Sequence, residues 1–220
     1  MERKINFFKL ALTSALCLLP IILSVIVYND LPDRVAMHWQ LDGSVTWYGH
    51  KAIAAFGMPL FFMLLNIIST IAMHKGPRQQ NSPNVVRIIG EWTAPVVSII
   101  FVPVLLFMGL GVNVPVLTIV PAFVGVLLII VGNYLPKTKQ NWIMGVRVPW
   151  TLNDSEIWNK THRLAGYLWI LLGVVFIATA FLQNIAPIPL LLTLLLSVIA
   201  FTVFVPILYS YILHKRKNHD

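Results

Sequence analysis

The sequence predicts an all-α integral membrane protein with six transmembrane helices, and the composition, the apolar blocks and the basic residues all point to it. Of the 220 residues, 58% are hydrophobic and 11% are charged, whereas soluble domains usually contain about 25% charged residues. A soluble fold of this composition would expose large apolar patches to water. The apolar residues also occur in long blocks, as membrane-spanning helices require.

Six stretches approach the roughly 20 apolar residues that a spanning helix needs. They are residues 7–28, 53–73, 92–112, 115–135, 166–183 and 188–213. The first stretch follows Arg3 and Lys4, as the apolar region of a signal peptide would. Its apolar run is too long for a signal peptide, and no small-residue cleavage site follows it. We therefore expect a retained helix.

We expect one membrane domain over residues 1–220. Its predicted parts are an N-terminal hairpin at 1–75 with an external loop at 29–52, a helical hairpin at 92–135, a cytoplasmic loop at 136–165, a C-terminal helical hairpin at 166–213 and a basic tail at 214–220. The single cysteine, Cys17, lies in the first apolar block, so the sequence predicts neither an intramolecular disulfide nor a zinc site of the Cys/His type.

The lysines and arginines predict the orientation of the chain. Of these 16 residues, all but Arg34 and Lys51 lie in the N-terminal segment, in the loops that share its side, or in the C-terminal tail. Cytoplasmic loops of membrane proteins carry an excess of lysine and arginine. Both termini are therefore predicted to be cytoplasmic. Topology also explains the net charge of +8, so we expect no direct nucleic-acid binding.

The external loop contains a pattern typical of a strand. Val35, Met37 and Trp39 alternate with more polar residues, which is the period of a half-buried strand. Asp42-Gly43 follows as a turn signal. We expect a small extended or hairpin element on the outer surface of the membrane.

Aromatic and histidine side chains make this external loop a candidate binding surface. Trp39, Trp47 and Tyr48 suit an aromatic belt at the lipid interface, and the sequence alone favours this interpretation. Contact with an amphipathic peptide stays open because aromatic anchors dominate recognition surfaces, and its candidate residues are His38, Trp39, Trp47 and Tyr48. The spacing of His38 and His50 matches no compact ligand motif, so no metal site is predicted.

The cytoplasmic loop has the features of an ordered segment. Pro149 keeps the residue before it extended, and Asn153 with Glu156 is similar to a helix-capping box. From Ile157 onward, apolar residues repeat at helical spacing, and Glu156 can pair with Lys160 one turn later. This pattern predicts an interfacial amphipathic helix, between the fourth and fifth transmembrane helices, that runs into the fifth.

Basic and aromatic side chains in the same loop make it a candidate site for an anion or an acidic partner. Topology and anionic lipid headgroups account for the basic residues, but they do not require fixed turn residues or tryptophans. A structural cap and a binding surface therefore both remain open. Trp158 and His162 lie one helical turn apart and are expected to touch. The candidate contact residues for a cytoplasmic partner are Gly145, Arg147, Pro149, Trp150, Trp158, His162 and Arg163.

Catalysis has little support in the sequence. The loop has no readable Ser–His–Asp arrangement, no phosphate-binding glycine loop and no zinc signature. We therefore predict no catalytic residue and no cofactor. No Asp, Glu, Lys or Arg side chain lies deep within a predicted span, and this disfavours an ion-coupled transporter.

Two segments carry a resemblance to a known family. Residues 132–166 contain G-N-Y-L-P-K, then G-V-R-V-P-W-T-L, and then W-N-K-T-H-R. This series resembles the signature of the SdpI family of bacterial membrane proteins. Residues 31–51 resemble the companion N-terminal region of that family, which has the form L-P-x-x-x-P-x-H-W followed by Y-G-x-K. Ala36 and Thr46 depart from that form.

The resemblance implies a multi-pass protein of the bacterial cell membrane that protects the producing cell from a secreted, membrane-active toxin peptide. The founding immunity factors of the family act against the sporulation-delay killing peptide, but that specific toxin does not carry over to this chain. It also implies a receptor that holds a cytoplasmic repressor at the membrane, with the outer face or the bundle sensing toxin and the cytoplasmic loop binding the repressor. Two other functions stay open. One is a small transporter with neutral pore residues such as Asn66 or Asn133, and the other is a membrane enzyme that uses His38 or His162.

Overall fold

The computed structural model describes residues 5–40, 44–75, 84–142, 144–183 and 185–218, which are mostly helical. The α-helices in these residues are α1 (Phe7–Leu18), α2 (Ile21–Val27), α3 (Met58–Lys75), α4 (Asn84–Gly109), α5 (Val116–Tyr134), α6 (Pro149–Asn153), α7 (Ser155–Leu182) and α8 (Ile188–Lys217). The strands are β1 (Arg34–Trp39) and β2 (Val45–His50). A π-helical turn at Ile53–Gly57 precedes α3, and a 3-10 turn at Leu135–Lys137 follows α5. Because the chain also forms two strands, the prediction of an all-α fold is corrected to a mostly helical one.

Six helical stretches of the described residues are long and apolar enough to cross a membrane, as the sequence predicts. They are Phe7–Val27, Ile53–His74, Asn84–Gly109, Val116–Lys137, Ser155–Leu182 and Ile188–Lys217. The fifth stretch begins well before the predicted span, because the amphipathic segment and the span form one continuous helix. Backbone groups cannot find water within lipid, so helices satisfy them internally.

The described residues of 1–75 and 87–116 form one compact unit. Buried polar side chains join its helices. Asn66 Nδ2 donates to Thr13 Oγ1 over 2.9 Å and joins α3 to α1, as polar side chains do between membrane helices. Ser98 Oγ donates to the carbonyl oxygen of Cys17 over 2.7 Å and joins α4 to α1.

The predicted extended element is an antiparallel hairpin of β1 and β2 in which Val35 pairs with Gly49. Two irregularities in the register lie between Ala36 and Trp39, and such bulges re-aim side chains along a strand. The Asp42-Gly43 turn that the sequence predicts lies outside the described residues.

The base of this hairpin is anchored in the core of its unit. Val35, which is 1% exposed, packs in one cluster with Leu31, and the rest of that cluster comes from the π-helical turn and α4. A Cβ atom on Gly109 would lie 3.1 Å from Val35 Cγ1, so only glycine allows this close approach without a shift. The hairpin is therefore held at its base.

The described residues of 117–220, with 84–86, form a second compact unit. In this unit α5 and α7 touch at two glycine pairs. A Cβ on Gly125 would lie 2.5 Å from the carbonyl oxygen of Gly173, and one on Gly132 would lie 2.8 Å from that of Gly166. Small residues let membrane helices approach closely, and the order of these pairs shows that the two helices run antiparallel.

Candidate functional site

Residues 136–165, called here the signature segment, fold around a stacked aromatic pair. Trp158 and His162 are both 0% exposed, and their rings stack with centroids 3.8 Å apart and planes inclined by 19°. The expected contact between them is confirmed. Trp158 Nε1 also donates to the carbonyl oxygen of Thr138 over 2.7 Å, so the buried indole N–H has the partner that it needs.

The ring of His162 joins the loop to α7. Its Nε2 accepts the backbone N–H of Val146 over 3.0 Å, and its Nδ1 lies 2.8 Å from the carbonyl oxygen of Trp158. Since Nε2 accepts a hydrogen bond, it carries no proton, and Nδ1 donates to the carbonyl. This pattern is that of a neutral imidazole. His162 thus holds the loop against α7 through its hydrogen bonds, and it does not provide the positive charge that an anion site would use.

Gly145 lies directly against that ring. Its φ is +112°, a conformation that side-chain-bearing residues rarely adopt. A Cβ atom at this position would also overlap His162 Nε2. Gly145 is therefore required for two separate reasons, its backbone conformation and the nearness of the imidazole.

Thr151 closes the turn that leads into α6. Its Oγ1 lies 2.7 Å from the carbonyl oxygen of Val146 and accepts the N–H of Val148 over 3.1 Å. Gln140 Nε2 donates to the carbonyl oxygens of Thr151 and Leu152, each over 3.0 Å. The loop is consequently an ordered, hydrogen-bonded structure rather than a simple connection between helices.

The cap of α7 differs from the expected one. Asp154 Oδ1 accepts the N–H groups of Glu156 and Ile157 over 2.9 and 3.1 Å, whereas Asn153 is the last residue of α6. Both residue types are good caps, but α6 extends through Asn153 and leaves the role to its neighbour. The predicted pairing of Glu156 with Lys160 is confirmed at 2.8 Å.

The C-terminal end of α8 is attached to this cap. Lys217 Nζ lies 2.8 Å from Asp154 Oδ2 and 3.1 Å from Glu156 Oε2. The hydrogen bond from Lys217 is the largest of the effects that lower the pKa of Asp154. In the same region, Trp150 Nε1 donates to Ser210 Oγ over 2.9 Å. The half-buried Trp150 therefore packs on α8 within its own unit.

The seven predicted contact residues of this segment divide into three groups. Trp158, His162 and Gly145 belong to the buried network, and Trp150 is half-buried against α8. The exposed members are Arg147, Pro149 and Arg163. Arg147 Nη1 donates to the carbonyl oxygen of Trp142 over 2.6 Å, so the side chain of Arg147 is oriented although it faces solvent.

The predicted external residues lie on the hairpin with different exposure. Trp47 and Tyr48 are each 52% exposed. His38 is exposed, with its Nδ1 2.6 Å from Thr46 Oγ1, and Trp39 is half-buried against the core cluster. In the described part of the chain, no three His, Cys, Asp or Glu side chains are grouped as a metal site would need.

Sequence reasoning missed the glycine pairs between α5 and α7. The signal is nevertheless present in the sequence, because Gly125 and Gly132 are seven residues apart, as are Gly166 and Gly173. Seven residues are close to two helical turns, so each pair of glycines lies on one face of its helix. The backbone groups that bond to Trp158 and His162 belong to Thr138 and Val146, and no spacing in the sequence indicates these two contacts.

Comparison with known proteins finds matches to both regions. The SdpI/YfhL protein family matches residues 137–210, and a domain of unknown function, DUF1648, matches residues 15–63. The immunity protein SdpI of Bacillus subtilis (strain 168) is 24% identical over 200 residues, which cover 89% of this chain and 90% of that protein. No solved structure matches the chain. With the six apolar helices, these matches identify a multi-pass cell-membrane protein.

Proposed function

We propose that the chain is a member of the SdpI/YfhL protein family, whose model matches residues 137–210, and that it protects its cell from a secreted, membrane-active peptide toxin. The similarity over 89% of the chain to a protein named for immunity carries this proposal. The matched segments, residues 15–63 and 137–210, include the hairpin and most of the signature segment. Both candidate regions thus lie largely within segments of this chain that match family models.

We assign toxin contact to the hairpin. Trp47 and Tyr48 present large rings to the surface at 52% exposure each, and rings of this kind bury much area on binding at a small cost in conformational entropy. His38 lies opposite Trp47 in the strand register and adds a polar group to the same surface. Trp39 packs on the core cluster and therefore helps to hold the strand that carries His38.

The proposal extends to signalling through a cytoplasmic repressor. Arg147 and Pro149 are exposed beside the start of α6, and an arginine suits an acidic partner surface because it offers a planar fork of donors. Gly145, Trp158 and His162 are assigned a positioning role, since the network they form fixes the backbone that carries Arg147.

Survival of a toxin-sensitive host that lacks its own immunity protein tests the central proposal. Cells expressing the chain should survive a related killing peptide at concentrations that kill cells carrying an empty vector, with the protein quantified in the membrane fraction. Unchanged killing by every related peptide, at a verified membrane level of the protein, would overturn it. Substrate flux in proteoliposomes that is lost on substitution of Asn66 or Asn133 would favour the transporter function instead.

The division between sensing and signalling requires the hairpin outside and the signature segment inside. Tyr48→Cys and Asn159→Cys test this in a Cys17→Ala background, because both positions are exposed and Cys17 is the single native thiol. A membrane-impermeant maleimide added to intact cells should label the first variant and not the second. Labelling of Asn159→Cys from outside would invert the topology and remove the proposed division.

Co-purification with the candidate repressor tests the signalling part separately. Arg147→Gln should lower the amount of repressor recovered with the membrane protein, while Lys139→Gln removes an equal charge from another exposed position and should not. Wild-type recovery with Arg147→Gln would exclude this contact. Protection by the same variant shows whether immunity depends on signalling.

A further inference from the structure

We propose that a groove between the end of α5 and the first half of α7 binds the phosphate headgroup of an anionic phospholipid. The groove is open and lies within the second unit. Two basic and two amide side chains line it, and they come from both helices and the 3-10 turn: Asn133, Lys137, Asn159 and Arg163. Gly132 and Gly166 line its floor.

The glycine contact makes this groove possible. The backbones at Gly132 and Gly166 approach so closely that a Cβ on Gly166 would lie 2.7 Å from the carbonyl oxygen of Gly132. That Cβ would also lie 2.8 Å from the ring of Pro136. Because both glycines line the groove, no side chain fills it at these two positions.

The donors of the groove are available to a ligand. In the part of the chain that the structure describes, no carboxylate forms an ion pair with Lys137 or Arg163. Lys137 Nζ lies 4.8 Å above the ring of Tyr134, which directs the charge without neutralising it. Two cations and two amides around one opening suit a phosphate, which accepts several charge-assisted hydrogen bonds.

The surroundings of the groove favour a lipid over a soluble anion. Along α7, the exposed Tyr167, Leu171 and Val174 continue from Arg163 toward the middle of the apolar stretch. On α5, the exposed Ile130 and Val126 continue in the same way from Asn133. A phosphate group over two apolar stripes fits a phospholipid, because headgroup and acyl chains are then both contacted. Basic pockets between membrane helices bind anionic headgroups in this manner.

Lipid retention by the purified full-length protein tests this site. Delipidated protein in detergent is mixed with phosphatidylglycerol or phosphatidylcholine, and bound lipid is counted by native mass spectrometry. Wild-type protein should retain phosphatidylglycerol preferentially. Arg163→Gln should reduce that retention about tenfold, as loss of a charge-assisted hydrogen bond predicts, whereas Lys139→Gln should not, although it removes the same charge.

Three results would overturn the proposal. They are equal retention of the two lipids, an equal loss in Arg163→Gln and Lys139→Gln, and displacement of the lipid by an equal concentration of inorganic phosphate. The last result would mean that the apolar stripes contribute nothing. Asn159→Leu is the second variant, in case Arg163→Gln fails to fold, and circular dichroism checks the helix content of each. It should also weaken phosphatidylglycerol retention, and wild-type retention by this variant contradicts the site.

Discussion

The hairpin and the signature segment are both rich in aromatic side chains, but the two regions use them in opposite ways. In the signature segment, Trp158 is fully buried and its indole N–H bonds to Thr138. In the hairpin, Trp47 and Tyr48 are more than half exposed. Residues that look alike in a sequence motif therefore have separate roles, since one set determines the shape of a loop and the other is available to a partner.

The same contrast applies to the way in which each region is held. The hairpin is anchored at its base by Val35 and Leu31, and its Trp47 and Tyr48 side chains are exposed to a ligand. The signature segment is held by hydrogen bonds that the side chains of Gln140 and Thr151 donate and by the bond that His162 Nε2 accepts from Val146. A substitution in the signature segment should thus act first on folding, and one on the hairpin surface should act first on recognition.

Trp158→Ala should have the largest effect on the free energy of unfolding. It removes the stacked ring and leaves the carbonyl of Thr138 without its donor, and loss of a buried Trp costs about 3–5 kcal/mol. Trp142→Ala is the matched control, because Trp142 lies in the same segment but is 45% exposed, and it should change the value by about 0.5 kcal/mol or less. Thermal unfolding in detergent measures both variants. Equal destabilisation would show that burial does not separate the two tryptophans.

Gly145→Ala should have the next largest effect, and Gly111→Ala provides a close comparison. Both glycines have positive φ, +112° and +81°, so each alanine costs about 1–2 kcal/mol in backbone strain. A Cβ at Gly145 also meets His162, whereas nothing lies within 4 Å of one at Gly111. Gly145→Ala should therefore lower the free energy of unfolding by about 1–3 kcal/mol more than Gly111→Ala does. If the two variants unfold at the same temperature, the imidazole can move aside freely.

Much of this molecule could be predicted from its sequence, because lipid imposes strong rules on the chain. Six apolar stretches must be helices where they cross lipid, and the period-2 pattern around Val35 and Trp39 correctly indicated a strand. The helical spacing of Trp158 and His162 correctly predicted that their rings touch. Spacing shows which residues share a face but not what covers that face, and here the cover is the loop around Val146. Burial of the pair was therefore not predictable.

The choice of the cap at α7 shows the same limit on a smaller scale. Asn153 and Asp154 are adjacent and equally able to accept backbone hydrogen bonds. The outcome depends on where α6 ends, which in turn depends on the turn that Thr151 closes. Tertiary contacts of this kind decide the exact position of an element and the roles of the side chains at its ends.

Trp47→Ala should have the smallest effect on stability and a large effect on protection. The side chain is exposed, so the free energy of unfolding should change by about 0.5 kcal/mol or less. Loss of an aromatic anchor from a binding surface costs about 2 kcal/mol or more, so the toxin concentration that the cells survive should fall at least about tenfold. Tyr48→Phe keeps the ring and should preserve protection. Trp142→Ala, an equal truncation on the signature segment, should also protect like the wild type. If Trp47→Ala protects fully while Trp142→Ala does not, recognition belongs to the signature segment, and the roles assigned to the two regions are reversed.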